Sequence, residues 1–471
     1  MKCKSFFEKL FLALIFVMLI LSVLNLKVVR DQINWMVIVL FGVIFIISMI
    51  GVLADKKIFS INKVFWYFNI FFLFLAPLIQ YITNYFPWKY EISDSMYIEA
   101  NVLIILCFLV YIIAYNISIK KVDDKKGGKI EYDDNTVFYN ERGYSIVYLF
   151  IIAVLCFLIL VSNIGFSGMF VRSTNYTDIV SDTAMNSVIT TFCRSFPVHL
   201  FTYMFYIKNK LNKKVNRILY ITTFILVVIS NFPTSVTRFW MGAIYIGILL
   251  LYKRKKMTKR IFDITFCTIF IIIFPVFASF KQISITNFNI NDIDRLGITQ
   301  AYDSTDYDAY TIIPRMLKYN KSSEITYGKQ ILGTIFFFIP RSIWKTKPIA
   351  SGAELAIAQN QWYTNISCPY IAEGLINFGV IGAVAFTIVL AKIIKYCDDR
   401  YWYYQEKNDN KIHYVEMYYV YMIGFIIFLL RGALHHAIVY ISGFLLPLMC
   451  IIFIERVLQR RRKKLNERVN E

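Results

Sequence analysis

Apolar stretches of about 17 residues or more recur along this chain from end to end, separated by polar connections. Each is long enough to cross roughly 30 Å of hydrocarbon. One such stretch fits the interior of a soluble protein. About a dozen cannot share one aqueous core, and in lipid each must satisfy its own backbone polar groups as a helix. The chain is 58% hydrophobic and 17% charged, which is too little charge to clothe a soluble surface of this length. The expected architecture is therefore all-α: a polytopic integral membrane protein with about twelve transmembrane helices and one large external loop.

The spans fall near residues 6–26, 33–54, 65–85, 99–118, 145–164, 185–207, 218–232, 237–252, 262–279, 372–393, 415–431 and 436–455. Pro233 and Arg238 crowd the turn between the seventh and the eighth. The chain divides into a membrane region 1–279 with nine spans, an external loop 280–371, a second membrane region 372–455 with three spans, and a basic tail 456–471. The first apolar run follows Lys2, Lys4 and Lys9, lacks a small-x-small cleavage site and is followed at once by another span. It reads as the first helix rather than a removable signal.

Charge tests this map independently. With the N terminus inside, most of the 51 Lys and Arg fall in cytoplasmic segments, among them Lys208 to Arg217, Lys253–Lys256 and Arg460–Lys464. That bias predicts a bacterial inner-membrane protein with both termini in the cytoplasm. The net charge of +20 then serves topology and anionic inner-leaflet lipid, and no nucleic acid is expected. Cys107, Cys156, Cys193, Cys267 and Cys450 lie in apolar runs, Cys3 and Cys397 fall inside, and Cys368 falls outside. No C-x-x-C occurs and there are 4 His, so neither a disulfide framework nor a metal site is expected. The longest cytoplasmic connection, 119–144, carries no Walker motif, and no cofactor is expected.

The external loop is the most distinctive region. A polar, acidic stretch (Asn291–Arg295, Asp303, Asp306, Asp308) precedes Tyr310-Thr311-Ile312-Ile313-Pro314-Arg315. The apolar run Ile331–Ile339 is too short to span and ends at Pro340, as a re-entrant or interfacial segment does. Arg341-Ser342-Ile343-Trp344-Lys345-Thr346-Lys347-Pro348 follows directly, setting Arg341, Lys345 and Lys347 around a tryptophan at headgroup level. Such an arrangement suits a phosphate-bearing lipid.

Arg194 lies inside the sixth span, Arg238 opens the eighth, Arg341 follows the apolar run and Arg431 ends the eleventh. An arginine in hydrocarbon costs at least a few kcal/mol and faces protein or a polar cavity. Snorkelling to the headgroups accounts equally well for Arg238 and Arg431, an interfacial anchor for Arg341, and a structural ion pair for Arg194. Taken together, guanidinium groups near one leaflet bind phosphate oxygens bidentately and stay charged when half-dry. The acidic candidates are Asp308 and Glu373, ahead of Asp303 and Glu354, as ion-pair partners or as acceptors of a proton from a sugar hydroxyl. His199 lies roughly 140° round the helix from Arg194. His435 and His436 fall at the outer surface, where polar packing competes with a role as bases.

The string from Gly328-Lys329-Gln330 through Ile339-Pro340-Arg341-Ser342-Ile343-Trp344-Lys345-Thr346-Lys347-Pro348 resembles the Wzy-type O-antigen and capsular repeat-unit polymerases, in the O-antigen polymerase and ligase superfamily. Ala372-Glu373-Gly374-Leu375-Ile376-Asn377-Phe378-Gly379, Asn231 to Arg238 and Leu430-Arg431-Gly432 strengthen the likeness, which covers roughly residues 190–440. Members move a growing glycan from undecaprenyl pyrophosphate to a sugar hydroxyl of a newly flipped, lipid-linked repeat unit. The resemblance implies that Arg341 lies in the substrate loop and that Arg238 and Arg431 join a pyrophosphate site. It also implies a chain-length regulator and the repeat-unit flippase as partners, beside the undecaprenyl-pyrophosphate-linked oligosaccharides.

The expectation is a metal-independent glycosyltransferase in which Arg341, Glu373 and Asp308 are catalytic, and Arg194, Arg238, Arg431, Lys345 and Lys347 hold pyrophosphate. Spans six, eight, ten and eleven would line its cavity. Two rivals use similar architecture: an O-antigen ligase with the same donor, and a lipid-linked oligosaccharide flippase or other transporter.

Overall fold

The computed structural model describes residues 30, 32–117, 136–137, 144–170, 183–273, 302, 304–322, 325–407 and 409–470. The expected first span, the acidic stretch 291–295, Asp303 and most of the connection 119–144 lie outside them.

Helices account for nearly all of it. In chain order they are α1 (Trp35–Ala54), α2 (Ile61–Ile82), α3 (Asp94–Asn116), α4 (Tyr144–Gly168), α5 (Thr183–Asn209), α6 (Arg217–Ser230), α7 (Arg238–Lys253) and α8 (Lys259–Thr268). The segment between α8 and the last three helices supplies α9 (Ala309–Ser322), α10 (Lys329–Ile335) and α11 (Ser351–Ala358), before α12 (Tyr370–Lys407), α13 (Tyr414–Arg431) and α14 (Leu434–Asn470). Strands Thr136–Val137 and Ile412–His413 pair antiparallel, with Thr136 opposite His413.

The polytopic architecture is there. Among the described residues 7 helices are long and apolar enough to cross a membrane: α1, α2, α3, α4, α12, α13 and α14. The expected seventh and eighth spans form helices of 14 and 16 residues, short of the length that hydrocarbon demands. α5 has the length, with 27 residues, but carries Arg194, Pro197 and His199 in its middle.

α2 is the hub. Its spanning window is entirely buried: Phe65 packs on Phe108 of α3, Phe71 on Phe270 just after α8, and Phe72 on Phe68 and on Tyr307. A π-helical stretch, Asn69–Leu75, interrupts its α-helical turns. α1, α3, α12 and α13 pack against it, and α7 packs in turn on α13. α5 joins α4, α6 and α14 in a second layer. A Cβ at Gly424 of α13 would overlap Ala243 of α7, so these backbones touch through small residues, a crossing favoured where lipid supplies no hydrophobic drive.

The ion pairs sort by side. Arg238–Asp306, Arg431–Asp308 and Lys321–Glu99 join segments that the map sets on one face. Lys57–Asp399, Lys210–Glu416 and Arg254–Glu416 join segments that it sets on the other.

Candidate functional site

The turn Thr305–Tyr307 and the start of α9 set Asp306 and Asp308 beneath the ends of α7 and α13. Asp308 is buried and accepts from Trp88 Nε1 at 2.7 Å, from Ser367 N at 3.3 Å, from Ser367 Oγ, and from Arg431 Nη2 at 3.1 Å. Arg431 Nη2 also donates to the Thr305 carbonyl at 3.2 Å, and the guanidinium lies 5.4 Å from the centre of the Phe239 ring. Arg238 Nη1 meets Asp306 Oδ2 at 3.2 Å. The D-x-D spacing of Asp306-Tyr307-Asp308, passed over in the sequence, thus points both carboxylates at arginines.

Arg194 reaches the same end of the molecule from below. It donates to the Ser230 carbonyl at the end of α6, and to Ser235 Oγ at 3.3 Å. Asn231 Nδ2 returns a bond to the Arg194 carbonyl at 3.0 Å, and its Oδ1 accepts from Trp240 Nε1 at 2.7 Å. The cation therefore sits on the negative end of a short helix, which offsets its burial. His199 turns away to α14, where Nε2 meets the Phe444 carbonyl at 2.8 Å.

A cavity of about 370 Å³ opens beside this belt. Arg341, Lys347, His435 and His436 line it, with Phe337 and Phe338 from the apolar run. Arg341 Nη1 donates to the Lys347 carbonyl at 2.7 Å and Nη2 to the Pro348 carbonyl at 3.3 Å. Lys347 Nζ donates to the carbonyls of Phe337 at 2.6 Å and Ile339 at 2.9 Å. The string from Phe337 to Pro348 is thereby folded back on itself, with its cations at the turn. Arg341 forms no ion pair among the described residues. Lys345 stands exposed on the same turn and does not line the cavity.

Glu373 lies behind the wall. Its Oε2 accepts from Ser351 Oγ at 2.6 Å and its Oε1 from Leu434 N at 2.7 Å. Both partners adjoin lining residues, Ala350 and His435. The local sequence explains the placement: α12 bends at Phe378–Gly379, where Gly379 takes φ 63°, a conformation that glycine adopts without strain. A Cβ at Gly382 would overlap the Gly374 carbonyl. The short first limb of α12, carrying Glu373, is thus folded tightly on the spanning limb.

The candidates therefore fall into two groups. Arg341 and Lys347 line the cavity, while Arg238, Arg431, Asp308 and Glu373 make the scaffold around it, and Arg194 supports that scaffold. Glu354 lies in the first turn of α11. The cavity draws on the starts of α5 and α14 and on the loop, rather than on spans six, eight, ten and eleven together.

Sequence reasoning passed over Arg315. It is fully buried, donates through Nε to Gln359 Oε1 at 2.8 Å and lies 4.7 Å from the centre of the Tyr90 ring. Its Nη1 and Nη2 have no hydrogen-bond partner among the described residues. Burial pushes its pKa down to about 10, opposed by the nearby Asp308, so it remains a cation at neutral pH. The only signal was an arginine on the apolar side of a helix inside a polar loop.

The family model for the O-antigen polysaccharide polymerase Wzy matches residues 7–461. The chain belongs to that family. Searches of curated proteins and of solved structures return no match. Membership of the Wzy family and the polytopic helices together identify a membrane protein of polysaccharide polymerisation. The Wzy match includes the Pro340–Pro348 string, the bend of α12 and the end of α13, where the cavity and its scaffold are built.

Proposed function

We propose that this Wzy-family protein transfers a growing glycan from undecaprenyl pyrophosphate to a hydroxyl of an incoming lipid-linked repeat unit, at the outer face of the bacterial inner membrane. The observation that carries the reading is the cavity itself. It gathers Arg341, Lys347, His435 and His436 next to an apolar run that has the length of an interfacial segment. A polyprenyl pyrophosphate needs both: cations for its headgroup and apolar surface for its chain. The positive-inside bias supports an orientation with that end of the molecule at the outer face of the membrane.

In the proposed reaction the acceptor oxygen forms a bond to the anomeric carbon, and the carbon–oxygen bond to pyrophosphate breaks. The leaving pyrophosphate keeps the electron pair, and its growing charge is met by Arg341 and Lys347 without a metal. The acceptor proton passes to a cavity histidine, His435 or His436, since these titratable groups face the cavity. Asp308 and Glu373 act as positioning residues, because neighbouring donors occupy their carboxylates.

The test is a gel of surface polysaccharide from the host with the gene deleted. The expected result is collapse of the ladder to a single repeat unit, restored by wild type. Arg341→Ala should restore it with roughly hundredfold lower polymerisation. An unchanged ladder on deletion overturns the reading. Full-length glycan held on undecaprenyl pyrophosphate overturns it in favour of a ligase.

A further inference from the structure

Beyond the cavity, the external face carries a built aromatic surface. The Tyr363 ring stacks on Trp88, with centroids 5.1 Å apart and planes at 20°, and Trp362 lies 5.5 Å from Tyr363 at 40°. Trp362 is 82% exposed and Tyr363 38%, so ring faces are open to solvent. Large aromatic surface left in water calls for an occupant.

These rings are held rather than loosely displayed. Trp88 donates Nε1 to the buried Asp308 at 2.7 Å. Its backbone takes φ 61°, and the next residue, Lys89, takes 54°. Consecutive non-glycine residues in the left-handed region are strained, and strain of this kind collects at functional sites. Arg315 ties the two sides together. Its guanidinium lies on Tyr90, two residues from Trp88, and its Nε grips Gln359, three residues from Trp362.

The segment around the rings, Asn360-Gln361-Trp362-Tyr363-Thr364-Asn365, carries no charge and mixes amides, a hydroxyl and aromatics. Thr364 and Asn365 line the cation-bearing cavity. The next polar residue, Ser367, bonds Asp308. One strand of chain thus runs from the aromatic surface, along the cavity wall, to the ion-pair belt.

We propose that Trp88, Tyr363 and Trp362 form a saccharide subsite that stacks a pyranose ring of the oligosaccharide whose pyrophosphate end lies in the cavity. A pyranose presents a face of polarised C–H bonds, which matches the negative face of an aromatic ring. Its hydroxyls require neutral donors and acceptors of the kind that Asn360, Gln361, Thr364 and Asn365 supply. An interfacial anchor would need no hydrogen bond to a buried carboxylate and no amide border. The proposal rests on the transferase reading, from which it takes its substrate.

The test uses purified full-length protein in nanodiscs and a lipid-free oligosaccharide released by mild acid from the host's own surface polysaccharide. Saturation-transfer NMR and titration should show binding to wild type. Trp362→Ala and Tyr363→Ala should bind about tenfold more weakly, with Trp362→Tyr and Tyr363→Phe largely restored. In the host, Trp362→Ala should shorten the ladder without collapsing it. Equal binding by wild type and Trp362→Ala overturns the subsite while leaving the transferase reading intact. Quenching by brominated lipid that Trp362→Phe abolishes also overturns it, since the ring would then sit in the membrane. An unchanged ladder on gene deletion instead fails the transferase reading. Trp362 is so exposed that its replacement leaves the packed interior untouched.

Discussion

Arg431 Nη2 and Asp308 Oδ1 meet at 3.1 Å across 123 residues of chain. The bond fastens the end of α13 to the external loop, and Asp308 is 1% exposed. This pair draws the end of α13, Trp88 and Ser367 together on one carboxylate, because Asp308 also accepts from Ser367 and Trp88.

Breaking it from one side should be more harmful than removing both charges. Asp308→Ala leaves Arg431 uncompensated and should cost on the order of 3 kcal/mol. The double replacement Asp308→Ala with Arg431→Met should recover part of that. Thermal melting of the purified protein in a complete mutant cycle measures the coupling. Strictly additive losses would show that the two side chains do not support each other.

Arg315 should give stability an alkaline dependence of unusual sign. It holds its proton less tightly in the fold, at about 10, than at its ordinary value of 12.5. Between those values the unfolded chain binds more protons, so the folded state gains as pH rises. The melting temperature of wild type relative to Arg315→Met should therefore climb from about pH 9 to about pH 11. A constant difference would show that Arg315 is solvated or paired.

The pH profile of polymerisation should separate the histidines from the acids. With a lipid-linked repeat unit as substrate, replacing the proton-accepting member of the pair, His435→Gln or His436→Gln, should lower the rate and remove its acid limb. Glu373→Gln should lower the rate but keep the limb, because its carboxylate bonds Ser351 Oγ and Leu434 N behind the wall. A limb lost in Glu373→Gln and kept in both histidine variants would reverse the assignment.

Close backbone contact makes certain glycines intolerant. Gly424→Val and Gly382→Val place side chains onto Ala243 and the Gly374 carbonyl. Each should lower the yield of folded protein in the membrane severalfold. Gly242→Ala, where a Cβ meets nothing within 4 Å, should express as wild type. Fluorescence-detected size exclusion reads all three, and equal yields would show that the helices can separate at no cost.

Much of this was legible in the chain and some was not, for identifiable reasons. Apolar length marks α1, α3, α4 and α14 plainly, because their outward faces must satisfy lipid. At α6 and α7 the helices fill nearly the same residues as the expected spans, 14 and 16 of them. The Arg341–Lys347 string was legible since its cations crowd a short apolar run. The direction of a carboxylate was not: Glu373 and Asp308 sit beside the cavity in sequence order, yet Ser351, Leu434, Trp88 and Ser367 turn them away from it. Arg315 and Trp88 acquire meaning only through Gln359, Tyr90 and Asp308, which no local pattern connects to them.

The complete enclosure of α2 reaches into the making of the protein. Asn62, Lys63, Asn69 and Gln80 of this helix are buried, and Gln80 Nε2 donates to the carbonyls of Tyr302 and Tyr307, which the ribosome delivers more than two hundred residues later. When α2 leaves the translocon neither carbonyl exists, and the helix must wait in lipid or against the insertion machinery with the Gln80 amide unmet. Maturation therefore ends with the segment around Tyr302 and Tyr307 closing over a helix laid early in synthesis. A polymerase whose loop has not yet closed is also one whose oldest polar residues remain open to quality control.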